Sequence, residues 1–357
     1  MDELKIKSNV RDYKVIFSDN FTRELQHAAE NNTCFFVVDE LVFQLYRPEL
    51  EPILPPEKMF LMRAAETNKT LDKAQEIIRF LLKSGYKRNH KIIAIGGGIT
   101  QDVTCFVASV LFRGVNWELY PTTLLAQCDS CIGSKSSINV GEFKNQVGTF
   151  YPPEKIVLDT NFLDTLAHED ILSGLGEAIK VHYLDPDKTF NEIFKSYDSS
   201  PKRSELTDII KKSLLIKQRI IEVDEYDRDY RNILNYGHTF GHALESATDY
   251  KIPHGVAVTI GMGIANFVSL KLGFLSSDVY EKMQTLIDEN SKEHLCDLSS
   301  VSIDTYWSAL KKDKKNIDGN IGVIITRGFG ETFKKQMALD GEFKEIILEY
   351  LENVKIV

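Results

Sequence analysis

Two hydrophobic rhythms divide this chain. Up to about residue 160, short apolar runs alternate with amphipathic stretches. "CFFVVD" (34–39) is an apolar run closing on an acid, and "TLDKAQEIIRFLLKSGY" (70–86) places Leu71, Ala74, Ile77, Ile78, Leu81 and Leu82 at helical spacing before stopping at Gly85. "KIIAIGGG" (91–98) predicts a buried strand entering a glycine turn, "DVTCFVASVLFRG" (102–114) an apolar helix after it, and "NWELYP" and "KIVLD" two more strands. This alternation predicts an α/β, Rossmann-like N-terminal domain with a mainly parallel sheet, spanning 1–160. From 161 to 357 long helical periods take over, at 168–184, 203–223, 231–247, 254–272, 276–290 and 341–353, and predict an all-α C-terminal domain. "IGVIIT" (321–326) is the strand-like exception, a return hairpin or a strand added elsewhere.

Composition narrows the field without deciding it. At 357 residues, 43% hydrophobic and 27% charged, the chain has the makeup of an ordinary globular protein large enough for two domains. A formal charge of −9 gives no reason to expect binding to nucleic acid or to an anionic membrane, so an anionic ligand must be held by local cations. The N-terminus lacks the basic, apolar and small-residue succession of a signal peptide, and no run of about 18 apolar residues is present, so a cytoplasmic location is expected. Five cysteines form no paired framework. Cys128 and Cys131 make a CxxC that invites a zinc-knuckle or redox reading, but a knuckle needs a second close pair, which the lone Cys34, Cys105 and Cys296 do not supply.

Three stretches carry chemistry. "IGGGITQD" ends a strand in three glycines, Gly96, Gly97 and Gly98, before a helix N-terminus, the form in which backbone amides approach a pyrophosphate. A plain tight turn explains such a triplet about as well. Asp39, at the end of an earlier strand, is placed to accept from a ribose hydroxyl, or simply to cap a helix. "DSCIGSKSSINVGEFKNQVG" presents Asp129, Lys135, Asn139, Lys144 and Asn145 among glycines and small residues of poor helical propensity. Interleaved Lys and Asn donors suit a phosphate or a polyhydroxylated ligand.

The third stretch holds His238, His242 and His254 within a chain of 8 histidines. His238 and His242 are four apart and share a helical face, but the glutamate of an HExxH metalloprotease is missing, and both cannot be assumed to be ligands. His254 opens the next helix after a proline, and Glu177, in "SGLGEAIKVH", is an acid where a core face would prefer Leu or Ala. Two nitrogens and one oxygen, leaving a coordination position open, would make a catalytic zinc site. Any one of these histidines alone is more simply a satisfied polar residue. Together, with Arg231 and Asn235 on the same predicted helix, they point to a site.

The ordered set "IGGGITQD", "LFRG", "PTTLLAQCDS", the Lys135, Asn139, Lys144 and Asn145 series, "GLGEAIK", "RNILNYGHTFGHA", "PHG" and "DKK" resembles the dehydroquinate synthase family of sugar phosphate cyclases, from about Asp39 to residue 330. That family shares its architecture with glycerol dehydrogenases and iron-containing alcohol dehydrogenases. The resemblance implies a dehydroquinate synthase-like fold, with an NAD-binding α/β domain and a helical metal- and substrate-binding domain. It implies zinc or cobalt held by Glu177, His238 and His254, with His242 on the substrate side. It implies NAD at Asp39, Glu66, Lys69, Gly96, Gly97, Gly98, Asp102, Thr122 and Thr123, and a sugar phosphate held by Asp129, Lys135, Lys144, Asn145, Lys180, Lys217, Arg231 and Asn235. Arg113 matches an arginine lent to the phosphate site of a neighbouring subunit, which implies a homodimer. Lys314 or Lys315 matches a lysine near the same phosphate.

The activity implied is that of a carbon–oxygen lyase converting 3-deoxy-D-arabino-heptulosonate 7-phosphate to 3-dehydroquinate and phosphate, in the route to aromatic amino acids. A hydroxyl is oxidised, phosphate leaves from the neighbouring position, the ketone is reduced again and an aldol step closes the ring, so NAD is recycled. Departures from the family pattern bear on the substrate: Gly133–Ser134 replaces a glycine pair, Gln101 a small residue, Ala65 a frequent glycine, and Val256 the usual Glu. A cyclase for sedoheptulose 7-phosphate or glucose 6-phosphate is the alternative. Against it stand Lys217, Arg231, Asn235 and His242, which cyclases for substrates without a carboxylate tend to alter. A glycerol-dehydrogenase-like alcohol dehydrogenase is a weaker alternative, because it needs no lysine-rich phosphate pocket.

Overall fold

The computed structural model describes residues 3–30, 32–141, 143–187, 194, 201–299, 301–311, 316–317 and 319–355. Two compact units emerge, Met1–Leu166 with Lys217–Tyr226, and Ala167–Ile216 with Asp227–Val357.

The first unit is built on β1 (Glu3–Ile6), β2 (Tyr13–Ser18), α1 (Phe21–Glu30), β3 (Cys34–Asp39), α2 (Glu40–Leu45), α3 (Arg47–Leu50), β4 (Met59–Met62), α4 (Leu71–Lys83), β5 (Lys91–Gly96), α5 (Gly98–Val110), β6 (Asn116–Pro121), β7 (Lys135–Val140), β8 (Phe143–Phe150) and β9 (Lys155–Asp159). Among the described residues it holds a seven-stranded sheet in the order β1-β2-β9-β6-β5-β3-β4, parallel throughout except for β1 against β2. Phe35 to Val38 and Ile92 to Ile95 are buried at every position, as strands covered on both faces must be. On one face Phe36, Val38, Ile93, Ile95, Tyr120 and Val157 pack with Phe21 and Leu25 of α1. The chain leaves β3 outward to β4 and returns to β5 on the other side of β3, so the strand order reverses between β3 and β5. Ligand crevices of open α/β sheets form at the carboxyl ends of strands at such a reversal, and here those ends are Asp39 and Gly96.

The stretch rich in Lys, Asn and Gly is not helical. It begins in a π-helical turn, Ala126–Ser130, closed by Cys131 N–H on the Ala126 carbonyl at 3.0 Å, and continues as the β7–β8 hairpin. Gly148 is obligatory in that hairpin, since a Cβ there would lie 1.9 Å from the Ser136 carbonyl oxygen. The helix expected at 102–114 starts earlier, at Gly98, and stops at Val110, because Phe112, Arg113 and Gly114 all take positive φ.

The second unit contains α6 (His168–Tyr183), α7 (Arg203–Val223, whose residues from 217 onward belong to the first unit), α8 (His238–Ala247), α9 (His254–Lys271), α10 (Ser277–Ser291), α11 (Leu295–Ser299), α12 (Ile303–Lys311), β10 (Asn316–Ile317), β11 (Asn320–Thr326), β12 (Thr332–Ala338) and α13 (Gly341–Lys355). Helix α9 is its axis. Gly255 to Ser269 are buried without interruption, and α6, α8, α10 and α13 pack around them. "IGVIIT" is the middle strand of a small antiparallel sheet, β10-β11-β12, so this helical unit carries a sheet as well.

The helix expected over 231–247 is broken. Tyr230–Asn235 is a 3-10 turn, and Gly237 at φ +78° precedes a fresh helix start at His238. Arg231 and Asn235 therefore stand on a separate element from the histidines. The break has a steric cause, because a Cβ on Gly237 would sit 2.4 Å from the Val258 carbonyl oxygen of α9. Among the described residues, no helix is long and apolar enough to cross a membrane.

Candidate functional site

In the first unit, the glycine turn ends β5 and starts α5. Gly97 is the N-cap and Gly98 the first helical residue, so the free amides of a 13-residue helix face the carboxyl edge of the sheet. The turn has no room for side chains: a Cβ on Gly96 would meet Thr100 Oγ1 at 2.6 Å, and one on Gly97 would meet Thr123 Cγ2 at 2.8 Å. Thr122 N–H donates to the Gly96 carbonyl at 3.1 Å, tying the end of β6 to the same turn. Asp39 caps α2, accepting from Leu41 N–H at 2.9 Å, and burial raises its pKa in spite of that contact.

Three expected cofactor residues lie in one polar network with the hairpin. Lys69 Nζ is 2.5 Å from Asp102 Oδ2 and donates to Asn145 Oδ1 at 2.8 Å. Ser137 donates to Asn145 Oδ1 at 2.8 Å, and Asn139 Nδ2 donates to Glu66 Oε1 at 2.8 Å. Burial pushes the Asp102 carboxyl up, with Lys69 opposing it. The backbone is locked too, through Asn139 N–H on the Lys69 carbonyl at 2.7 Å. Asp129, in the π-helical turn, is paired with Lys217: Nζ is 2.5 Å from Oδ1 and donates to the Asp129 carbonyl at 2.5 Å. Lys135 and Lys144 lie on the hairpin strands, and Arg113 is exposed in the positive-φ turn. Lys314 and Lys315 lie outside the described residues.

In the second unit, α6, α8 and the first residue of α9 bring Glu177, His238, His242 and His254 together. Glu177 Oε1 is 3.3 Å from His254 Nε2 and 3.6 Å from His238 Nε2, while Glu177 Oε2 accepts from the buried Lys180 ammonium. The three histidines offer nitrogens within 4.8 Å of one another, and His242, the exposed one, stacks on His254 with ring centroids 5.8 Å apart. At their other nitrogens the two inner imidazoles are oriented separately: His238 Nδ1 lies 3.2 Å from the Tyr236 carbonyl oxygen, and His254 Nδ1 lies 3.3 Å from Glu245 Oε2. Burial works against a charged His254, yet the flanking Glu177 and Glu245 outweigh it and raise the pKa to about 10. Two carboxylates around one imidazole call for a positive charge. Two imidazole nitrogens 3.3 and 3.6 Å from one carboxylate oxygen are a donor set suited to a divalent zinc or cobalt ion, and His242 adds a third nitrogen to the same cluster.

Glycine makes the cluster possible. A Cβ on Gly255 would lie 1.8 Å from the Ser173 carbonyl oxygen, and one on Gly176 would lie 2.1 Å from that of Gly255, so α6 and α9 touch backbone to backbone beside Glu177 and His254. Gly237 and Gly261 do the same for α8 and α9 beside His238.

Comparison with known proteins fits this geometry. Residues 59–173 match the family described as 3-dehydroquinate synthase N-terminal, and residues 174–316 the one described as 3-dehydroquinate synthase C-terminal. The 3-dehydroquinate synthase of Clostridium tetani is 33% identical over 363 residues, covering 99% of this chain and 95% of its own. The chain belongs to the 3-dehydroquinate synthase family. Among solved structures, 2-deoxy-scyllo-inosose synthase complexed with carbaglucose-6-phosphate, NAD+ and Co2+ superposes with a TM-score of 0.86 at 23% identity, covering 97% of this chain and 99% of its own. The 2-epi-5-epi-valiolone synthase of Streptomyces hygroscopicus subsp. jinggangensis, with NAD+ and Zn2+ bound, gives 0.82 at 22% identity, covering 98% and 99%. The fold of the 3-dehydroquinate synthase family is thus the fold of other sugar phosphate cyclases.

Two side chains of this family member are not marked by the motifs of the sequence. Ser137 stands between Lys135 and Asn139 on one face of β7, a period-2 signal inside a stretch whose glycines suggest irregular structure. Glu245 follows His238 and His242 at the helical positions i, i+4 and i+7, so the signal was a single face carrying all three.

Proposed function

We propose that this chain is a 3-dehydroquinate synthase, converting 3-deoxy-D-arabino-heptulosonate 7-phosphate to 3-dehydroquinate and phosphate with NAD recycled. The observation that carries the reading is the convergence of Glu177, His238 and His254, in a chain whose 33%-identical relative over nearly its full length bears that activity. Glu177, His238 and His254 would hold the divalent metal, and Asp39, Glu66, Lys69, Gly96, Gly97, Gly98, Asp102, Thr122 and Thr123 would hold NAD. Bound there, the pair supplies hydride transfer to and from the cofactor and acidification of a secondary hydroxyl.

The chain's own residues do the rest. Lys180 neutralises Glu177 Oε2 and so leaves Oε1 to face the two histidine nitrogens. Arg231 is buried and carries the planar five-donor fork that fits a carboxylate in two-pronged fashion. Lys217 is held against Asp129 with its charge matched, and Lys135, Lys144 and Asn145 supply donors for hydroxyl and phosphate oxygens. His242, exposed next to His254, is placed to take or return a proton at a ring nitrogen. Arg113 would serve the phosphate site of a second copy in a homodimer. The residues before about 160 would form the NAD-binding part and those after it the metal-binding part.

The test is one assay. Purified protein with catalytic NAD, Zn2+ or Co2+ and the carboxylated heptulosonate phosphate should release phosphate and yield a product of the mass of 3-dehydroquinate. Faster turnover of sedoheptulose 7-phosphate or glucose 6-phosphate would replace this reading with that of a sister cyclase. Stoichiometric consumption of NAD with a simple alcohol would replace it with a dehydrogenase.

A further inference from the structure

We infer that Glu245 is a positioning residue for the metal centre, fixing His254 with its proton on Nδ1 and its Nε2 lone pair turned toward Glu177. The inference rests on the proposed metal site and adds a group that the donor set itself does not include.

The geometry is asymmetric in a way that needs a reason. Both inner histidines turn Nε2 toward Glu177 Oε1, and both have an oxygen acceptor at Nδ1, but His238 has a neutral backbone carbonyl and His254 a carboxylate. An acceptor at one ring nitrogen places the proton there and leaves the other nitrogen as the ligand atom. A carboxylate acceptor also makes that nitrogen more basic and adds a second negative charge to a pocket that already holds Glu177. His254 has particular need of this. It is the first residue of α9, whose first turn contains no acid and whose N-cap is Pro253, which offers no side-chain cap. Positive charge at a helix N-terminus opposes both a protonated imidazole and a nearby dication. Glu245 reaches in from the last turn of α8, with its side chain 12% exposed, and supplies the negative charge that α9 lacks. The connection that brings it there is tight. Tyr250 N–H closes on the Glu245 carbonyl at 2.8 Å, and Asp249 and Tyr250 both take positive φ in order to turn the chain back to His254.

The test compares Glu245→Gln, Glu245→Ala and Glu245→Asp with the native chain. Zn2+ and Co2+ affinity is measured by competition with a chromophoric chelator, the visible absorption of bound Co2+ is recorded, and the thermal midpoint of the metal-stripped protein is taken. Glu245→Ala should weaken metal binding about 10- to 100-fold, the range for removal of a group behind a ligating histidine, and shift the Co2+ bands. Glu245→Gln, which keeps the acceptor but not the charge, should lose less, and Glu245→Asp should recover part of the affinity. Their metal-stripped midpoints should stay near the native one. If Glu245→Gln and Glu245→Ala bind Co2+ within twofold of native with unchanged bands, the inference is overturned while the metal site stands. Should Glu245→Ala fail to fold, the same criterion applies to Glu245→Gln. If His238→Ala also keeps native affinity, the metal site itself is wrong.

Discussion

Under the proposed function, Arg231 is the residue whose replacement would separate the substrates. It is buried, and its planar five-donor fork fits a carboxylate in two-pronged fashion. Replacing it by Lys keeps the charge but removes the two-pronged contact, a loss on the order of 2–5 kcal/mol, so Arg231→Lys should lower kcat/KM for the carboxylated substrate by about 30-fold or more. NAD affinity should stay within about twofold; steady-state kinetics checks the first half of the statement and an NAD titration the second. A second outcome concerns the CxxC pair. Cys128 and Cys131 are buried, burial pushes the Cys131 thiol up to about 12, and Cys105 is held at about 12 for the same reason. Neither Cys105 nor Cys131 should alkylate with iodoacetamide at pH 8 in the native chain, and both should do so in urea, as read by intact mass. Residue types were legible from sequence where chemistry is rare: a histidine pair on one helical face, a histidine opening a helix, an acid where a core position was due. Asp39 is not decided that way, because a cap and a ribose acceptor need the same side chain in the same place, and the cap contact to Leu41 N–H is compatible with both. Glu245 was passed over because a glutamate near the end of an amphipathic helix looks solvated until its partner across the loop is known.

At the level of elements, glycines set the distances at which helices meet. Gly→Ala inside a helix ordinarily stabilises by up to about 1 kcal/mol. Gly255→Ala should do the reverse, because its Cβ would press on the Ser173 carbonyl, and overpacking of this kind costs roughly 1–3 kcal/mol. A lower thermal midpoint and weakened metal binding are expected together, since Ser173 shares α6 with Glu177. Gly341→Ala, at the open start of α13, is the control and should be neutral or mildly stabilising. Long elements were legible and short ones were not. The 203–223 period corresponds to α7 residue for residue, and 254–272 to α9 within one residue, because four or more turns average over exceptions. Strands β1 and β4, four residues each at the two edges of the sheet, present too few alternations to register. The break at Tyr236–Gly237 was missed because it comes from the approach of α9, and that is not a property of the segment's own periodicity.

On the scale of the whole molecule, stability should fall on mild acidification in a way traceable to one group. His182 is fully buried in α6, and that burial lowers its pKa to about 4. Between pH 6.5 and 4 the unfolded chain takes up a proton that the native chain refuses, so the contribution is intact above about 6.5 and lost as pH falls toward 4, up to about 3 kcal/mol. Urea melts across this range should have a visibly smaller slope against pH in His182→Gln than in the native chain, whatever the change in absolute stability. Sequence marks one change of pattern near residue 160, but nothing along α7 announces that its last residues pack elsewhere. That is decided by Lys217 on Asp129 and, just past the helix, by Glu225 receiving Ser8, Asn9 and Ser134, partners 88 to 217 positions away. The backbone-to-backbone crossings also govern how a map of tolerated substitutions would read. Gly176, Gly237 and Gly255 carry no donor side chain, yet each would score as intolerant as the neighbour it makes possible, Glu177, His238 or His254. Ranking positions by intolerance would therefore return the proposed centre as three dipeptides, and only side-chain chemistry tells which half of each could be a donor.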